Sequence, residues 1–522
     1  MGIPSYYRTL ITKIPHAIQK VVPANTRTLV IDMNCMIYHV LREPKMLSIQ
    51  YPGINNPDSI VWEQKLQDEV CKYITHIWRA AGAPLHMYVA LDGVVPYAKI
   101  KQQRFRRFKS ANDKASIKLN SVENQNQWDT NAITPGTTFM KNMGDSLRAA
   151  GRQFNWIISD TDEPGEGEHK LLRWLLSNKL TEGPIVVYGL DADLILLCLL
   201  AGDKLGESYP LYLLRETTAF GKLVRPSESE QVELGFFKVA ELQKSLQRGK
   251  EWSREQFYDY IFGMSFCGND FLPTGLSLRM RDEGHPILLS CLESLWKNNI
   301  HLVIFENDVA NPCPEGLKAF AKFMIAQEER LIITMIRRKM LARFGESEED
   351  NLPLREQVEA PLIKVEGERT TLRSDWLLRY SRLALGDSSE LHRKKCVADF
   401  WQGWCWILKY YQGLPVDIEW VYPAGYPPTW KDLLQHFVIP TDEIIVREPL
   451  KPQEQLAIVL PLSSWGLMLK TPYRSLPTKL PQFWPDQFHL ETFGKRFGWE
   501  CEPRIPMLTP SRLRFEMNNS DT

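Results

Sequence analysis

Seven acidic side chains occupy positions in this chain where carboxylates can hold metal ions. Three short apolar runs each carry an acid at or just after their end: TLVIDMN at 28–34, MYVALDG at 87–93 and PIVVYGLDADLILL at 184–197. Further acids occur as the Glu-Gly-Glu triplet of PGEGEHK and as the aspartate of CGNDFLP. The complete set is Asp32, Asp92, Glu166, Glu168, Asp191, Asp193 and Asp270.

The chemistry of this acidic set favours Mg²⁺ or Mn²⁺. Carboxylates buried together repel one another and take up protons unless cations neutralise them. Oxygen ligands suit these two ions, and the nine cysteines include no CxxC pair for zinc. Two such ions about 4 Å apart are the usual arrangement for in-line attack at a phosphodiester. We therefore expect two metal ions in a phosphoesterase, although any single acid is more simply a turn or helix-capping residue.

A strongly basic segment follows Asp92. Six of the eleven residues from Lys99 to Lys109 are Lys or Arg, and none is acidic. On a helix, four of the polar side chains share one face, where they form a site for a terminal phosphate. The four are Lys99, Gln103, Arg106 and Arg107. The cations that point elsewhere, suited to a nucleic-acid backbone, are Lys101, Arg104 and Lys109. The alternative interpretation is a solvated basic face.

The elements that must position these residues follow from the pattern of apolar runs. Short β-rich runs separated by segments of helical period predict a parallel sheet with crossover helices. Because ligands bind at the carboxyl ends of such strands, the acids should meet at one edge. A long helical pattern covers about 300–345, and a charged, Pro-bearing linker or surface insertion covers 345–371. We predict a catalytic region at 1–300, a helical connection with its linker at 301–395, and a second helical region at 396–522.

Composition limits the classes of protein that this chain can belong to. The 522 residues contain 63 Lys+Arg and 63 Asp+Glu, and this neutrality excludes a uniformly basic coat for nucleic acid. The N-terminus lacks the apolar core of a signal peptide, and no apolar stretch approaches the roughly 20 residues of a membrane span. Scattered cysteines indicate a reducing compartment. We expect a cytoplasmic monomer (the nucleus being the alternative compartment) with no membrane association and no zinc.

The combined motifs resemble those of the Xrn-type 5′→3′ exoribonucleases, which degrade RNA bearing a 5′-monophosphate. The resemblance extends over almost the whole chain, as expected for a minimal form that contains the conserved catalytic regions. Its most specific segments are DGVVPYAKIKQQRFRRF and PGEGEHK. The other matching segments are MGIPSYYRTL, VIDMN, NAITPGTTFM, VYGLDADLILL, LLRE, GNDFLP, GLPVDIEWVYP, EQLAIVLP and the run from Gly494 to Trp499.

The resemblance implies a PIN-like α/β nuclease core with a mostly helical second region packed on it. It implies that all seven carboxylates are ligands of two metal ions. It also implies that the four residues of the basic segment hold the 5′-phosphate of single-stranded RNA in a blind pocket, so that 5′-mononucleotides are released one at a time. In the family an aromatic pair stacks on the terminal bases, and Trp420 matches the tryptophan of the family's WYYP motif.

The sequence departs from the family at the stacking positions. The family has a His six residues after its first Asp, where this chain has Tyr38, with His39 one residue later. One residue turns a helix by about 100°, so His39 need not face the same cleft as Tyr38. The first tryptophan of the WYYP region is absent, and without the resemblance Trp420 is most simply a core aromatic. Tyr38, His39 and Trp420 are therefore the candidate stacking residues.

Two other functions are compatible with the same carboxylates. A flap-type 5′ DNA nuclease shares the core but carries a Gly-rich helix–hairpin–helix after the last acidic motif, where this chain has GNDFLPTGLSLRMRDEGHP. A catalytically inactive RNA-binding scaffold is the other alternative, and the retention of all seven carboxylates argues against it.

Overall fold

A computed structural model describes residues 6, 17–120, 127–216, 234–341, 354, 357–367, 369–440, 445, 447–468 and 472–518, excepting the side chains of 115–120. Seven strands of this part form one central sheet. They are β1 (Ile18–Gln19), β2 (Thr28–Asp32), β3 (His86–Ala90), β4 (Ile157–Ser159), β5 (Ile185–Tyr188), β6 (Leu211–Glu216) and β7 (Leu234–Lys238). Their order is β1-β7-β6-β5-β2-β3-β4. Strands β2 to β6 are parallel, while β7 and β1 add an antiparallel edge.

Helices cover both faces of the sheet. They are α1 (Asn34–Leu41), α2 (Pro44–Leu47), α3 (Asp58–Ala80), α4 (Tyr97–Asn120), α5 (Thr138–Gly151), α6 (Gly167–Ser177), α7 (Asp193–Leu205), α8 (Val239–Gln247), α9 (Arg254–Gly263) and α10 (Gly284–Trp296). Side chains of β2 alternate between two cores, because Val30 joins one buried cluster while Leu29 and Ile31 join the other. The predicted α/β fold with a mostly parallel sheet is confirmed.

The apolar run at 184–197 divides into two elements. Strand β5 ends at Tyr188, and α7 begins at Asp193. Its acids therefore occupy the strand-to-helix turn, whereas the run by itself gives no sign of the break. Helix α7 is buried on nearly every side, which explains why its apolar residues show no helical period.

The second half of the described chain is mostly helical, as expected. Its elements are β8 (Val303–Glu306), β9 (Val309–Pro312), α11 (Pro314–Met340), β10 (Ile363–Glu366), β11 (Arg369–Leu372), α12 (Trp376–Tyr380), α13 (Glu390–Tyr411), α14 (Trp430–Gln435), α15 (Pro452–Val459), α16 (Leu476–Lys479), β12 (Leu490–Glu491), β13 (Glu502–Pro503) and α17 (Pro510–Asn518). Trp401 and Trp404 of α13 lie in the same buried cluster as α7 and α9. The two halves thus share a core, and the boundaries at 300 and 395 stay predictions.

Part of the segment predicted as a linker is instead packed structure. Strands β10 and β11 form a hairpin, and Leu362 and Ile363 are buried. Glu359 forms a fully buried ion pair with Lys339 of α11, at 2.8 Å. Its charged composition made this stretch look solvated, but a buried pair can satisfy such charges internally. Residues 345–353 lie outside the described residues.

Candidate active site

The carboxyl edge of the sheet gathers acids from separate elements. Asp32 is the last residue of β2, and Asp92 and Asp191 follow the ends of β3 and β5. Glu166 occupies the N-cap position of α6, and Glu168 and Asp193 lie in the first turns of α6 and α7, where the helix dipole favours negative charge. Asp270 follows the 3₁₀ turn Met264–Cys267. We call these seven side chains the carboxylate cluster.

The glycine of the Glu-Gly-Glu triplet makes this convergence possible. A Cβ atom at Gly167 would lie 2.4 Å from Oδ1 of Asp32, so any side chain there would displace the first carboxylate. The backbone N–H of Gly167 also donates to Oδ1 of Asp92, at 2.7 Å. Gly167 therefore brings α6 against two carboxylates at once, and this accounts for the spacing of the motif.

Asn34 is a site residue that the sequence analysis missed. Its Nδ2 donates to Oδ2 of Asp92 at 2.9 Å, and the backbone N–H of Asp92 donates to Oδ1 of Asn34 at 3.3 Å. These two hydrogen bonds fix the orientation of Asp92. The signal was present in VIDMN, two residues after the first aspartate.

Burial and mutual repulsion perturb the cluster. Burial first, and then the charges of Asp92 and Asp191, raise the pKa of Asp32 well above its ordinary value. Burial and neighbouring acids, with Asp270 the largest of them, raise the pKa of Asp193 to about 7. Burial also acts on Asp270, but the Lys99 ammonium outweighs it and holds the pKa of that carboxyl below its usual range. The cluster therefore lacks enough positive charge of its own.

A divalent cation fits this donor set. Oε2 of the buried Glu168 has no hydrogen-bond partner among the described residues, which is costly for a carboxylate oxygen unless a cation contacts it. Single ligand atoms of Glu166, Glu168 and His169 lie within 4.8 Å of one another. Burial lowers the pKa of His169 to about 4, so that its imidazole is neutral and able to coordinate. His169 is a further candidate ligand that the sequence analysis did not include.

Lys99 lies among the acids. Its Nζ is 2.5 Å from Oε2 of Glu166 and 2.6 Å from Oδ2 of Asp270. The residue is buried in the first turn of α4, which begins at Tyr97 after a backbone bend at Val94. In this arrangement the ammonium neutralises part of the carboxylate cluster, and a role in phosphate binding stays a prediction.

The other polar residues of the predicted phosphate site have separate surroundings. We call Lys99, Gln103, Arg106 and Arg107 the basic face. Gln103 accepts a hydrogen bond from Gln455 Nε2 at 3.2 Å, and Arg107 donates to the hydroxyl of Thr134. Arg106 is exposed and makes no hydrogen bond or salt bridge within the described chain. The predicted helix is present, its four polar side chains contact different partners, and their joint binding of a phosphate stays a prediction.

The prediction that Arg104 follows a nucleic-acid backbone is wrong. Its guanidinium is fully buried and donates to the carbonyl oxygens of Ile458 and Phe483. The Cζ atom of this guanidinium also lies 4.3 Å from the centroid of the Phe108 ring. The spacing of a charged run does not distinguish such a buried structural arginine from an exposed one.

The three candidate stacking residues differ in exposure. The Tyr38 ring is 36% exposed, whereas the His39 ring is stacked on Tyr73 at 4.6 Å. Trp420 is only 8% exposed, and its indole stacks on Trp406 at 5.2 Å within the core. Stacking of RNA bases by these residues stays a prediction, and Tyr38 alone of the three presents an open ring.

Tyr410 connects the second helical region to the carboxylate cluster. The hydroxyl of this last-turn residue of α13 donates to Oε1 of Glu166 at 2.8 Å. Its ring lies 4.0 Å from that of His169 and 4.7 Å from that of Trp406. The sequence showed only an aromatic-rich segment here, because nothing in KYYQG specifies a partner 244 residues earlier in the chain.

All nine cysteines are free thiols. Among the described helices, none has both the length and the apolar character that crossing a bilayer requires.

Comparison with known proteins agrees with this architecture. Residues 1–217 match the family model described as the XRN 5′-3′ exonuclease N-terminus, and residues 373–521 match the Xrn1 helical domain. The 5′-3′ exoribonuclease 1 of Schizosaccharomyces pombe is 24% identical over 100% of this chain and 49% of its own length. The human 5′-3′ exoribonuclease 1 is 25% identical over 98% of this chain and 34% of its own.

The alignment with a second type of relative, an exoribonuclease 2, covers a larger share of that relative's length. The 5′-3′ exoribonuclease 2 of Gallus gallus is 24% identical over 98% of this chain and 69% of its own length. The chain thus spans about half the length of the Schizosaccharomyces pombe relative and more of this one. With both conserved regions matched and relatives aligned along its whole length, this chain belongs to the Xrn family.

Proposed function

We propose that this chain hydrolyses single-stranded RNA from a 5′-monophosphorylated end, in the 5′→3′ direction, and releases 5′-mononucleotides. The observation that carries the proposal is the carboxylate cluster, in which seven acids from separate elements meet beside the first turn of the basic helix α4. Such a concentration of buried negative charge is costly unless cations neutralise it. The names of the relatives favour an exoribonuclease over a flap-type DNA nuclease or an inactive scaffold.

Two divalent ions, Mg²⁺ or Mn²⁺, are the proposed cofactors. Bound in this cluster, they supply Lewis acidity towards the scissile phosphodiester and lower the pKa of the attacking water. The chain's own contribution is the set of carboxylates, with Gly167 and Asn34 fixing Asp92 and Tyr410 fixing Glu166. The unpaired Oε2 of Glu168 is the best single support for a cation at this position.

Recognition of the 5′ end is assigned to the basic face. A terminal phosphate dianion in contact with Lys99 would exchange its Glu166 and Asp270 partners for phosphate oxygens once cations neutralise those acids. Arg106, which has no internal partner in the described chain, is available for the same phosphate. A blind site of this kind excludes capped and triphosphorylated ends by size and charge.

Tyr38 is the proposed stacking residue on the α1 side of the cleft. Its open ring suits stacking on a base, which contributes about 1–3 kcal/mol per base. His39 is engaged by Tyr73, and Trp420 would have to leave its contact with Trp406 to stack on RNA. We further propose that the protein acts as a monomer in cytoplasmic mRNA decay.

The decisive experiment compares three RNAs of one sequence that carry a 5′-monophosphate, a 5′-triphosphate or a 5′-hydroxyl. Each is incubated with and without Mg²⁺, and products are resolved by length. We expect Mg²⁺-dependent release of mononucleotides from the monophosphorylated RNA alone. Equal rates on all three ends would contradict the phosphate site, and internal cleavage or rapid hydrolysis in EDTA would contradict the whole proposal.

A further inference from the structure

A large cavity borders Asp270 of the carboxylate cluster. Its volume is about 630 Å³, within the range of about 300–1,000 Å³ that small-molecule sites occupy. One face of α4 forms a wall, the 267–274 segment and residues 421–425 form the floor, and residues 495–503 close the other side. We call this cavity the chamber.

Cations outnumber acids in the lining of the chamber, where six lysines and arginines accompany four acids. Arg106 is shared with the proposed 5′-phosphate site, while Lys101 and Lys495 are not, and none of these three has a carboxylate within salt-bridge distance among the described residues. The Lys101 ammonium donates to the backbone carbonyl of Tyr422 at 2.7 Å.

Two of the four acids that line the chamber are already engaged by cations. Glu500 accepts from the backbone N–H of Arg496 at 2.7 Å and pairs with Arg279 and Arg281. Asp270 is held by Lys99. With six cations against four acids the lining carries a net positive charge, which favours an anion.

Two further features suit a nucleotide rather than a simple anion. Oε1 of Gln102 lines the chamber and is buried without a hydrogen-bond donor, so a ribose hydroxyl or a base amine can satisfy it. On the opposite wall, the guanidinium of Arg281 lies 4.0 Å over the ring of Trp499, whose surface is 36% exposed. Such a layered cationic and aromatic surface is one against which nucleobases pack.

From these features we propose that the chamber binds a nucleoside 5′-monophosphate, with its phosphate at Lys495. This inference rests on the proposed function, since that reaction produces this nucleotide. Asp270 forms the partition, because its Oδ2 contacts Lys99 while its Oδ1 accepts from Gln102 Nε2 at 3.0 Å on the chamber side. A product nucleotide in the chamber contacts Gln102 and thereby Asp270, so product occupancy slows the next cycle.

The test measures GMP binding by isothermal titration calorimetry, in EDTA, with saturating 5′-monophosphorylated RNA present to occupy the end site. Guanosine and inorganic phosphate serve as the two partial ligands. We expect one GMP per chain, weaker binding of either partial ligand, and about tenfold weaker GMP binding in Lys495→Ala, the usual effect of losing one charged contact. Lys495→Arg should retain GMP binding, and Lys65→Ala, an exposed change on α3, should leave it unchanged.

Hydrolysis supplies an independent readout. Lys495→Ala should keep the initial rate on RNA while GMP inhibits it about tenfold more weakly than it inhibits the unaltered protein. Failure of GMP to bind beside RNA, or unchanged GMP affinity in Lys495→Ala, overturns the proposal. A rise in KM for RNA that matches the loss of GMP affinity also overturns it, because the chamber then belongs to the RNA path. If RNA is not hydrolysed at all while GMP still binds, the proposed function fails and the chamber stands.

Discussion

The carboxylate cluster and the basic face adjoin in the sequence at Asp92 and Lys99, yet they are built in different ways. The seven acids come from separate elements and converge, so that each perturbs the pKa of its neighbours. The four polar residues of the basic face share one helix, and the described structure gives them a carboxylate pair, an amide, a hydroxyl and solvent as surroundings. Sheet topology therefore accounts for the meeting of the acids, whereas the contacts of the helix residues depend on segments distant in the sequence.

The largest effect should come from removing one acid of the convergent region. Asp193→Asn keeps the shape of the side chain but removes the charge proposed to hold a cation, so we expect kcat to fall about a thousandfold. Steady-state hydrolysis of 5′-monophosphorylated RNA at saturating Mg²⁺ measures this. Asp68→Asn, an exposed change on α3, is the control and should retain full activity. A Asp193→Asn variant with near-normal turnover would remove this residue from the metal centre.

Asp193→Asn, which should lower kcat, should raise the thermal stability of the metal-free protein. Burial and Asp270 raise the pKa of Asp193 to about 7, above its ordinary value of 3.8. The folded state therefore binds this proton more tightly than the unfolded state, and its stabilising effect is present in full below about pH 4 and lost as pH rises through about 7. In EDTA, Asp193→Asn should unfold at a higher temperature than the unaltered protein at pH 8, and the gap should close towards pH 4. Parallel melting curves across this range would contradict the assignment.

Lys99 belongs to the basic face but contacts the carboxylate cluster, so its substitution tests how much its ammonium stabilises the buried acids. Lys99→Met leaves Glu166 and Asp270 buried without their cation, and breaking a buried ion pair in this way costs about 3–5 kcal/mol. We expect a lower free energy of unfolding in EDTA and a larger recovery on adding Mg²⁺ than the unaltered protein shows. Denaturant unfolding with and without Mg²⁺ checks this. An unchanged midpoint in EDTA would mean that the ammonium is not needed to balance the cluster.

Substitution of Arg106 tests whether the basic face binds the 5′ end of the RNA. Because it has no internal partner in the described chain, Arg106→Ala should leave stability unchanged and reduce the preference for 5′-monophosphate over 5′-hydroxyl RNA about tenfold. The ratio of kcat/KM on the two RNAs measures the preference. Arg79→Ala, another exposed arginine, should not alter the ratio. Loss of single-strand binding with intact end preference would assign Arg106 to the RNA backbone instead.

The same contrast explains which features were predictable from sequence. The strand ends at Asp32, Asp92 and Asp191 were predicted correctly because a buried parallel strand is a local apolar run and its carboxyl end is fixed by topology. Gln103 and Arg107 were placed on the right helix, but their contacts with Gln455 and Thr134 depend on distant segments. The buried Arg104 and the packed hairpin after Glu359 were missed for the same reason, since composition reports charge and not its partner.

Substitution of Tyr410 should have the smallest effect, because this residue of α13 contacts the carboxylate cluster through one hydrogen bond to Glu166. Tyr410→Phe removes the hydroxyl that donates to Glu166 and keeps the ring in contact with His169 and stacked on Trp406. Losing one hydrogen bond to a carboxylate costs about 1.5–3 kcal/mol if it holds the ligand in place. We therefore expect weaker Mn²⁺ binding in calorimetry and a lower kcat, with KM for RNA unchanged.

Tyr411→Phe is the matched control for this prediction. Its hydroxyl is buried without a hydrogen-bond partner in the described chain, so its removal should leave Mn²⁺ affinity unchanged and raise the melting temperature slightly. If both variants lose Mn²⁺ affinity equally, the end of α13 acts through packing and not through the Glu166 hydrogen bond. If only Tyr410→Phe does, the second helical region contributes a positioning residue to a cluster whose ligands all come from the first 270 residues.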